Sequence, residues 1–305
     1  MSFELQILGC GSAVPTVQRF PTSQVLNIQE NYFLIDCGEG AQMQMRRFGV
    51  KLQKIDHIFI SHMHGDHYLG LSGYLQTLHM LGREKTIHIY GPSELEPLVL
   101  DHFKIPGAEL RFEINFTPTD HTQKNCLLDK KTFTVHSFPL KHKVPTTGFL
   151  FTEKAKRKTY DKRMGDSYGV PTYWINRIKE GQDYVAEDGE VVSNEKLTLP
   201  APLSYSYAFC SDTAYIDSLA KDIAPVDMLY HEATFLEREN SRAKSTLHST
   251  AQTAAKQATL CGAKKLILGH FSARYPNTKP FILEAQPHYS GEIIIAEDGL
   301  IVTAN

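Results

Sequence analysis

Along the 305-residue chain, short apolar runs rich in β-branched residues alternate with turn residues and with stretches of helical period. Residues 3–8, 25–28 and 32–36 read as strands bounded by Gly, Pro, Asn or Asp, and 55–61 (IDHIFIS) as a buried strand. Residues 41–48 have helical composition, the stretch after His67 to Leu81 reads as a helix stopped by Gly82, and 86–90 reads as a strand. Further strands are expected at 133–139, 148–152, 205–209 and 228–230, with a helix at 215–220. In the last third, Ser249 with Gln252 three residues on reads as a capping box. Ala254, Ala255 and Ala258 then share one helix face, and Gly262 is the stop. Residues 265–269 read as a strand ending at His270, and 292–296 with 300–303 as a terminal hairpin around Asp298-Gly299. This alternation predicts an α/β fold with sheet covered by helices.

One stretch breaks the pattern. Residues 153–195 lose the apolar period and are rich in Lys, Arg, Asp and Glu. The expectation is a single domain over 1–305 from which 153–195 departs as a basic arm or long loop. Composition adds little: 42% hydrophobic, 22% charged and a net charge of −2 exclude a disordered or fibrous chain and announce no nucleic-acid partner by bulk charge. No apolar run approaches the ~20 residues of a membrane span, and MSFELQILG lacks the features of a signal peptide, so a cytoplasmic address is expected. The five scattered cysteines include no Cys-x-x-Cys, which argues against a disulfide scaffold and a thiolate zinc site.

Histidine changes the picture. His62, His64, Asp66 and His67 place three imidazoles and a carboxylate within six residues, directly after the strand ending at Ser61. Strand ends are where α/β folds gather chemistry, since side chains there leave the sheet and converge in a crevice. Imidazole and carboxylate without thiolate suit Zn²⁺ or a similar divalent ion. One tetrahedral ion cannot use all four groups together with more distant ligands; two adjacent ions can.

The H-x-H-x-D-H pattern resembles the signature of the metallo-β-lactamase superfamily, an αββα sandwich with a two-metal site along one edge. Within that superfamily the chain is similar to the ribonuclease Z family over nearly its whole length. The shared segments are GCGSAVP (9–15), DCGEG (36–40), FISHMHGDHYLG (59–70), YGP (90–92), HKVPTTG (142–148), HEATF (231–235), HST (248–250) and HFSARY (270–275). The last three are far more selective than H-x-H-x-D-H, which lactamases, thioesterases and glyoxalases also carry.

The resemblance implies two Zn²⁺ per subunit, one held by His62, His64 and His142 and the other by Asp66, His67 and His270, with Asp212 bridging. It implies a 3′-processing endoribonuclease acting on precursor tRNA, leaving a 3′-hydroxyl on the tRNA and a 5′-phosphate on the trailer. Asp66 would orient the attacking water and accept its proton, and His248, oriented by Glu232, would protonate the leaving oxygen. Arg274 is a candidate phosphate contact, because guanidinium binds phosphate oxygens bidentately. A homodimer is implied by the family alone.

The chain also departs from the family. Relatives carry a Gly-x-Pro-x-Gly-Pro element on the arm, whereas residues 169–174 here read GVPTYW, without the second Gly-Pro pair. Before it, Lys154, Lys156, Arg157, Lys158, Lys162 and Arg163 face only Glu153 and Asp161, with Tyr160, Tyr168, Tyr173 and Trp174 interleaved or following. Such cations supply sequence-independent phosphate binding, and aromatics can stack on nucleotides. The rival reading is a metallo-β-lactamase-fold phosphodiesterase for a small cyclic nucleotide, which would keep every metal ligand and need no arm. A catalytically silent RNA-binding relative would have lost ligands, and this chain has lost none.

Overall fold

The computed structural model describes residues 2–105, 107 and 109–305. Contacts divide the chain into two compact units. The first comprises residues 1–129, 134–151 and 205–305; the second comprises 130–133 and 152–204.

In chain order the strands are β1 (Phe3–Gly9), β2 (Ser23–Ile28), β3 (Asn31–Cys37), β4 (Ile55–Phe59), β5 (Ile87–Gly91), β6 (Ile114–Pro118), β7 (Asn125–Asp129), β8 (Phe133–Pro139) and β9 (Thr147–Glu153). Four two-residue strands follow: β10 (Thr159–Tyr160), β11 (Tyr184–Val185), β12 (Val191–Val192) and β13 (Thr198–Leu199). The chain closes with β14 (Ser206–Cys210), β15 (Met228–Glu232), β16 (Lys265–Gly269), β17 (Glu292–Ile295) and β18 (Ile301–Thr303). Two seven-stranded sheets result, in the orders β18-β1-β2-β3-β4-β5-β6 and β17-β16-β15-β14-β9-β8-β7. Their inner faces meet through Phe59 against Phe149 and Phe33 against Phe151, each pair 5.3 Å between centroids. On the outer face of the first sheet, helices Ala41–Arg47 and Leu71–Met80 bury Met45, Tyr74, Leu75 and Leu78 against Leu34, Ile58 and Ile89. Helix Ala251–Leu260 buries Ala251, Ala254, Ala255 and Ala258 and packs on β15 and β16. The architecture is the αββα sandwich.

The parallel runs β3-β4-β5 and β14-β15-β16 position the chemistry. Parallel strands end on the same side, so the loops after β3, β4, β14, β15 and β16 open along one edge.

Several local expectations differ from the structure. The helix expected after His67 is two helices, Gly65–Tyr68 and Leu71–Met80. Gly70 breaks it: its N–H donates to the Cys37 carbonyl at 2.9 Å, and a Cβ there would lie 2.1 Å from the Gly38 carbonyl oxygen. The cap of Ala251–Leu260 is Thr250, whose Oγ1 accepts from the Thr253 N–H, while the Ser249 hydroxyl donates to the Thr213 carbonyl. The helix expected at 215–220 lies at Leu219–Ile223. The terminal hairpin does not form, because β17 joins the second sheet beside β16 and β18 joins the first beside β1. Asp298 pins the crossing, accepting from the Phe20 N–H at 2.9 Å and from Gln44 Nε2 at 3.1 Å.

The second unit contains residues 153–195. It builds a small core from Ile178, Tyr184, Val192 and Leu197, against which Tyr160, Met164, Tyr168 and Trp174 pack. Among the described residues, no helix is long and apolar enough to cross a membrane.

Candidate metal centre

Every sequence-predicted metal ligand converges at the open edge of the first unit. Asp212, just past the end of β14, lies at the middle. Its Oδ2 is 3.5 Å from both His62 Nε2 and His142 Nε2, and its Oδ1 is 3.2 Å from His67 Nε2 and 3.1 Å from His270 Nε2. The two oxygens of one carboxylate thus face two different sets of imidazoles. His64 completes the first set, with Nδ1 3.0 Å from His62 Nε2 and 3.3 Å from His142 Nε2. Asp66 completes the second, with Oδ2 3.4 Å from His270 Nε2 and 3.5 Å from His67 Nε2. Three geometric groupings arise: His62, His64, His142 with Asp212; Asp66, His67 with His270; and Asp212, His248 with His270.

Hydrogen bonds from Nδ1 orient the rings of His67, His62, His270 and His142. Asp36 is fully buried; its Oδ2 accepts from His67 Nδ1 at 2.6 Å and from the Ser61 hydroxyl at 3.0 Å. Having given its proton to Asp36, Ser61 Oγ must accept from His62 Nδ1, 3.0 Å away. On the second sheet Glu232, also fully buried, has the same office. Its Oε2 accepts from the Thr234 hydroxyl at 2.6 Å, so Thr234 Oγ1 must accept from His270 Nδ1 at 2.9 Å. His142 Nδ1 donates to the Leu247 carbonyl at 3.0 Å. In all four rings Nδ1 is committed to a protein acceptor, which leaves Nε2 as the atom facing the centre, the arrangement that metal-ligating histidines need.

The donor set is compatible with metal binding. His67 Nε2 is buried without a hydrogen-bond partner among the described residues, as a metal ligand would be. Burial pushes His62 down to about 4, and lowers His64 and His142, which keeps these imidazoles neutral. Burial opposes charge on His67 as well, but Asp212, Asp66 and Asp36 together raise it, so a metal binding there would have to displace a proton. Burial raises and the imidazoles lower the Asp66 and Asp212 carboxyls; the imidazoles win, and both stay ionised.

His248 stands beside the centre. Its Nδ1 lies 2.7 Å from Glu232 Oε1, and its Nε2 is 4.0 Å from Asp212 Oδ2. Burial works against its charge, but the Glu232 carboxylate carries it up to about 9. Thr213 N–H donates to the same Glu232 oxygen at 2.8 Å, fixing the carboxylate. The pocket in front, about 390 Å³, is lined by Ser12, Pro15, Glu39 and Leu69 together with His64, Asp66, Asp212, His248 and His270. The Ala13 N–H donates to Asp66 Oδ2 at 2.7 Å.

Backbone strain collects here. Ala13, Asp36, Asp212, Leu247 and His270 all have φ between 54° and 66°. Such conformations cost non-glycine residues about 1–3 kcal/mol each and persist where the surroundings over-determine them.

The remaining candidates lie elsewhere. Arg274 is exposed, its guanidinium 5.3 Å from the Phe235 ring centroid and its Nε donating to Ser272 Oγ at 3.1 Å. In the second unit, Lys156 pairs with Glu153 at 2.7 Å, Arg157 with Glu180 at 3.0 Å, and Lys158 donates to Asn194 Oδ1 at 2.9 Å. Lys154, Lys162 and Arg163 are exposed. Sequence reasoning missed Asp36, Ser61, Thr234 and Leu247. The signal for Asp36 was present in DCGEG, where a carboxylate ends a strand parallel to the one feeding the histidines.

Comparison with known proteins decides the family. Residues 3–157 match the family model described as "Anti-Pycsar protein Apyc1". That half carries His62, His64, Asp66, His67 and His142 but ends before Asp212, Glu232, His248 and His270. A ribonuclease Z of Bacteroides fragilis is 45% identical over 296 residues, 97% of each chain. Another, of Parabacteroides distasonis, is 45% identical over 298 residues, 98% of each. This chain belongs to the ribonuclease Z family. Among solved structures, the short form of human tRNase Z is 27% identical with a TM-score of 0.72, covering 99% of both chains. A metallo-β-lactamase fold protein of Bacillus subtilis is 19% identical at a TM-score of 0.68, over 99% of this chain and all of that one.

Proposed function

We propose that this ribonuclease Z family member is a zinc-dependent endoribonuclease that removes the 3′ trailer from precursor tRNA. The family membership, held over nearly the whole chain, supports the substrate. The observation that carries the chemistry is Asp212, whose two oxygens face separate imidazole sets at 3.1–3.5 Å.

His62, His64 and His142 would hold one Zn²⁺ and Asp66, His67 and His270 the other, with Asp212 available to both sets. Such a pair supplies Lewis-acid polarisation of the phosphate and acidifies an attacking water. The protein's groups do the rest. Asp66, fixed by the Ala13 N–H, is placed to orient an attacking water and accept its proton. His248 is a proton donor at neutral pH, because Glu232 holds its charge. From Nε2 it protonates the departing 3′-oxygen, leaving a 3′-hydroxyl on the tRNA and a 5′-phosphate on the trailer. Arg274 and the exposed cations of the second unit contact phosphates away from the reacting bond. With Lys156, Arg157 and Lys158 engaged inside that unit, their contribution to RNA binding is through neighbouring charge more than direct contact. The subunit acts as a homodimer in the cytoplasm.

The test is incubation of zinc-loaded protein with a precursor tRNA, mapping the cut and its end groups. A single cut at the tRNA 3′ side with a 3′-hydroxyl supports the reading. Hydrolysis of cyclic nucleotides with no cut in the precursor would replace it with the small-phosphodiester alternative.

A further inference from the structure

The helix Asn240–Thr246 ends in a turn that joins both halves of the catalytic apparatus. Leu247 adopts φ 57° and ψ 47°. The Leu247 N–H donates back to the Lys244 carbonyl at 3.3 Å and the His248 N–H to the Ala243 carbonyl at 2.9 Å. This is the double-bonded helix stop in which the left-handed position is usually glycine. A leucine there carries a steric cost that glycine would not. Nor is its side chain a core anchor, being only partly buried.

What the turn achieves is directional. With residue 247 left-handed, its carbonyl points at His142 Nδ1, 3.0 Å away, and holds that ring with Nε2 towards Asp212. The same turn delivers the next residue, His248, to Glu232 at 2.7 Å. Ser249 then ties the segment down by donating to the Thr213 carbonyl at 2.7 Å, beside Asp212. The rings of His142 and His248 lie 4.8 Å apart, so a small error in the turn displaces both.

The geometry points to Leu247 as a positioning residue: its left-handed turn sets the His142 tautomer for metal and the placement of His248, coupling metal occupancy to the acid. The inference rests on the proposed roles of His142 as ligand and His248 as proton donor. Coupling of this kind is reciprocal. Metal on His142 strengthens its pull on the Leu247 carbonyl and rigidifies the turn; a disordered turn weakens the metal.

The experiment uses the full chain and zinc alone, followed by turnover of precursor tRNA. Val at 247 keeps an apolar side chain, but its β-branch disfavours the left-handed region, whereas Asn tolerates it. Leu247→Val is expected to weaken zinc by roughly 10–100-fold, the usual loss for an outer partner of a ligand, and to lower kcat with KM little changed. Leu247→Asn should recover most of both. In the unaltered protein, zinc should slow hydrogen exchange at the His248 amide by several-fold, a readout that needs no variant to fold. Wild-type zinc affinity in Leu247→Val, an equal defect in Leu247→Asn, or zinc-independent exchange at His248 would each overturn the inference. His142→Ala separates the two levels. If it binds zinc like the parent protein, the ligand assignment beneath the inference fails; if it loses zinc while Leu247→Val does not, only the inference fails.

Discussion

Two buried acids, neither of them a metal ligand, govern the centre from behind. Asp36 fixes His67 directly and His62 through Ser61; Glu232 fixes His248 directly and His270 through Thr234. Removing Asp36 leaves two imidazoles free to turn. Asp36→Ala is therefore expected to weaken zinc roughly 10–100-fold in a chelator competition, and unchanged affinity would show that the rings are oriented otherwise. Removing His248 has a different signature. His248→Ala should keep its zinc but cut precursor tRNA more slowly by about 10²–10⁴-fold, the range of general acid–base catalysis. Loss of metal in that variant would make His248 a ligand instead. The pH dependence follows from the same pair. Glu232 raises His248 to about 9, so the acid is present at neutral pH and lost as pH rises through that value. Activity should fall on the alkaline side near there, and Glu232→Gln should move the falling limb towards the ordinary histidine value of about 6.5. A limb that stays in place would remove Glu232 from the acid's control.

Among the elements, those that feed the site were legible because hydrophobic runs and ligands adjoin. The run IDHIFIS ends one residue before His62, and 265–269 ends at His270, so a strand end and a ligand were read together. What escaped was non-local. Nothing in the spacing of residues 292–303 separates a hairpin from two strands that part company, because the deciding contacts are Asp298 with Phe20 and Gln44, far away in sequence. Thr234 and Ser61 escaped likewise: a hydroxyl's office depends on which acid it meets in space. The crossing at Asp298 can be tested by itself. Asp298→Ala strips an acceptor from three partly buried donors, the Phe20 N–H, Gln44 Nε2 and the Cys10 thiol, and should cost about 1–3 kcal/mol in denaturant unfolding, with zinc content unchanged. A cost near zero would mean the crossing is held elsewhere.

For the whole molecule, the division of labour between units is the open prediction. The proposed metal ligands all belong to the first unit, while residues 153–195 with their small core belong to the second. Because Met164, Tyr168 and Trp174 pack on that core, a short cut inside it would unfold the rest; replacing residues 155–202 with a Gly-Ser bridge removes it cleanly. Zinc content and hydrolysis of a small chromogenic phosphodiester should survive. Affinity for precursor tRNA should fall and the slope of log K against log salt flatten, as phosphate contacts are lost. An unchanged slope would place the RNA grip on the first unit. The proposed dinuclear centre is tested most directly by counting metal per folded chain by elemental analysis, in the parent protein and in Asp212→Ala. Two zincs in the parent, with fewer than two and most activity lost in the variant, is the predicted result; two zincs and full activity in Asp212→Ala would contradict it.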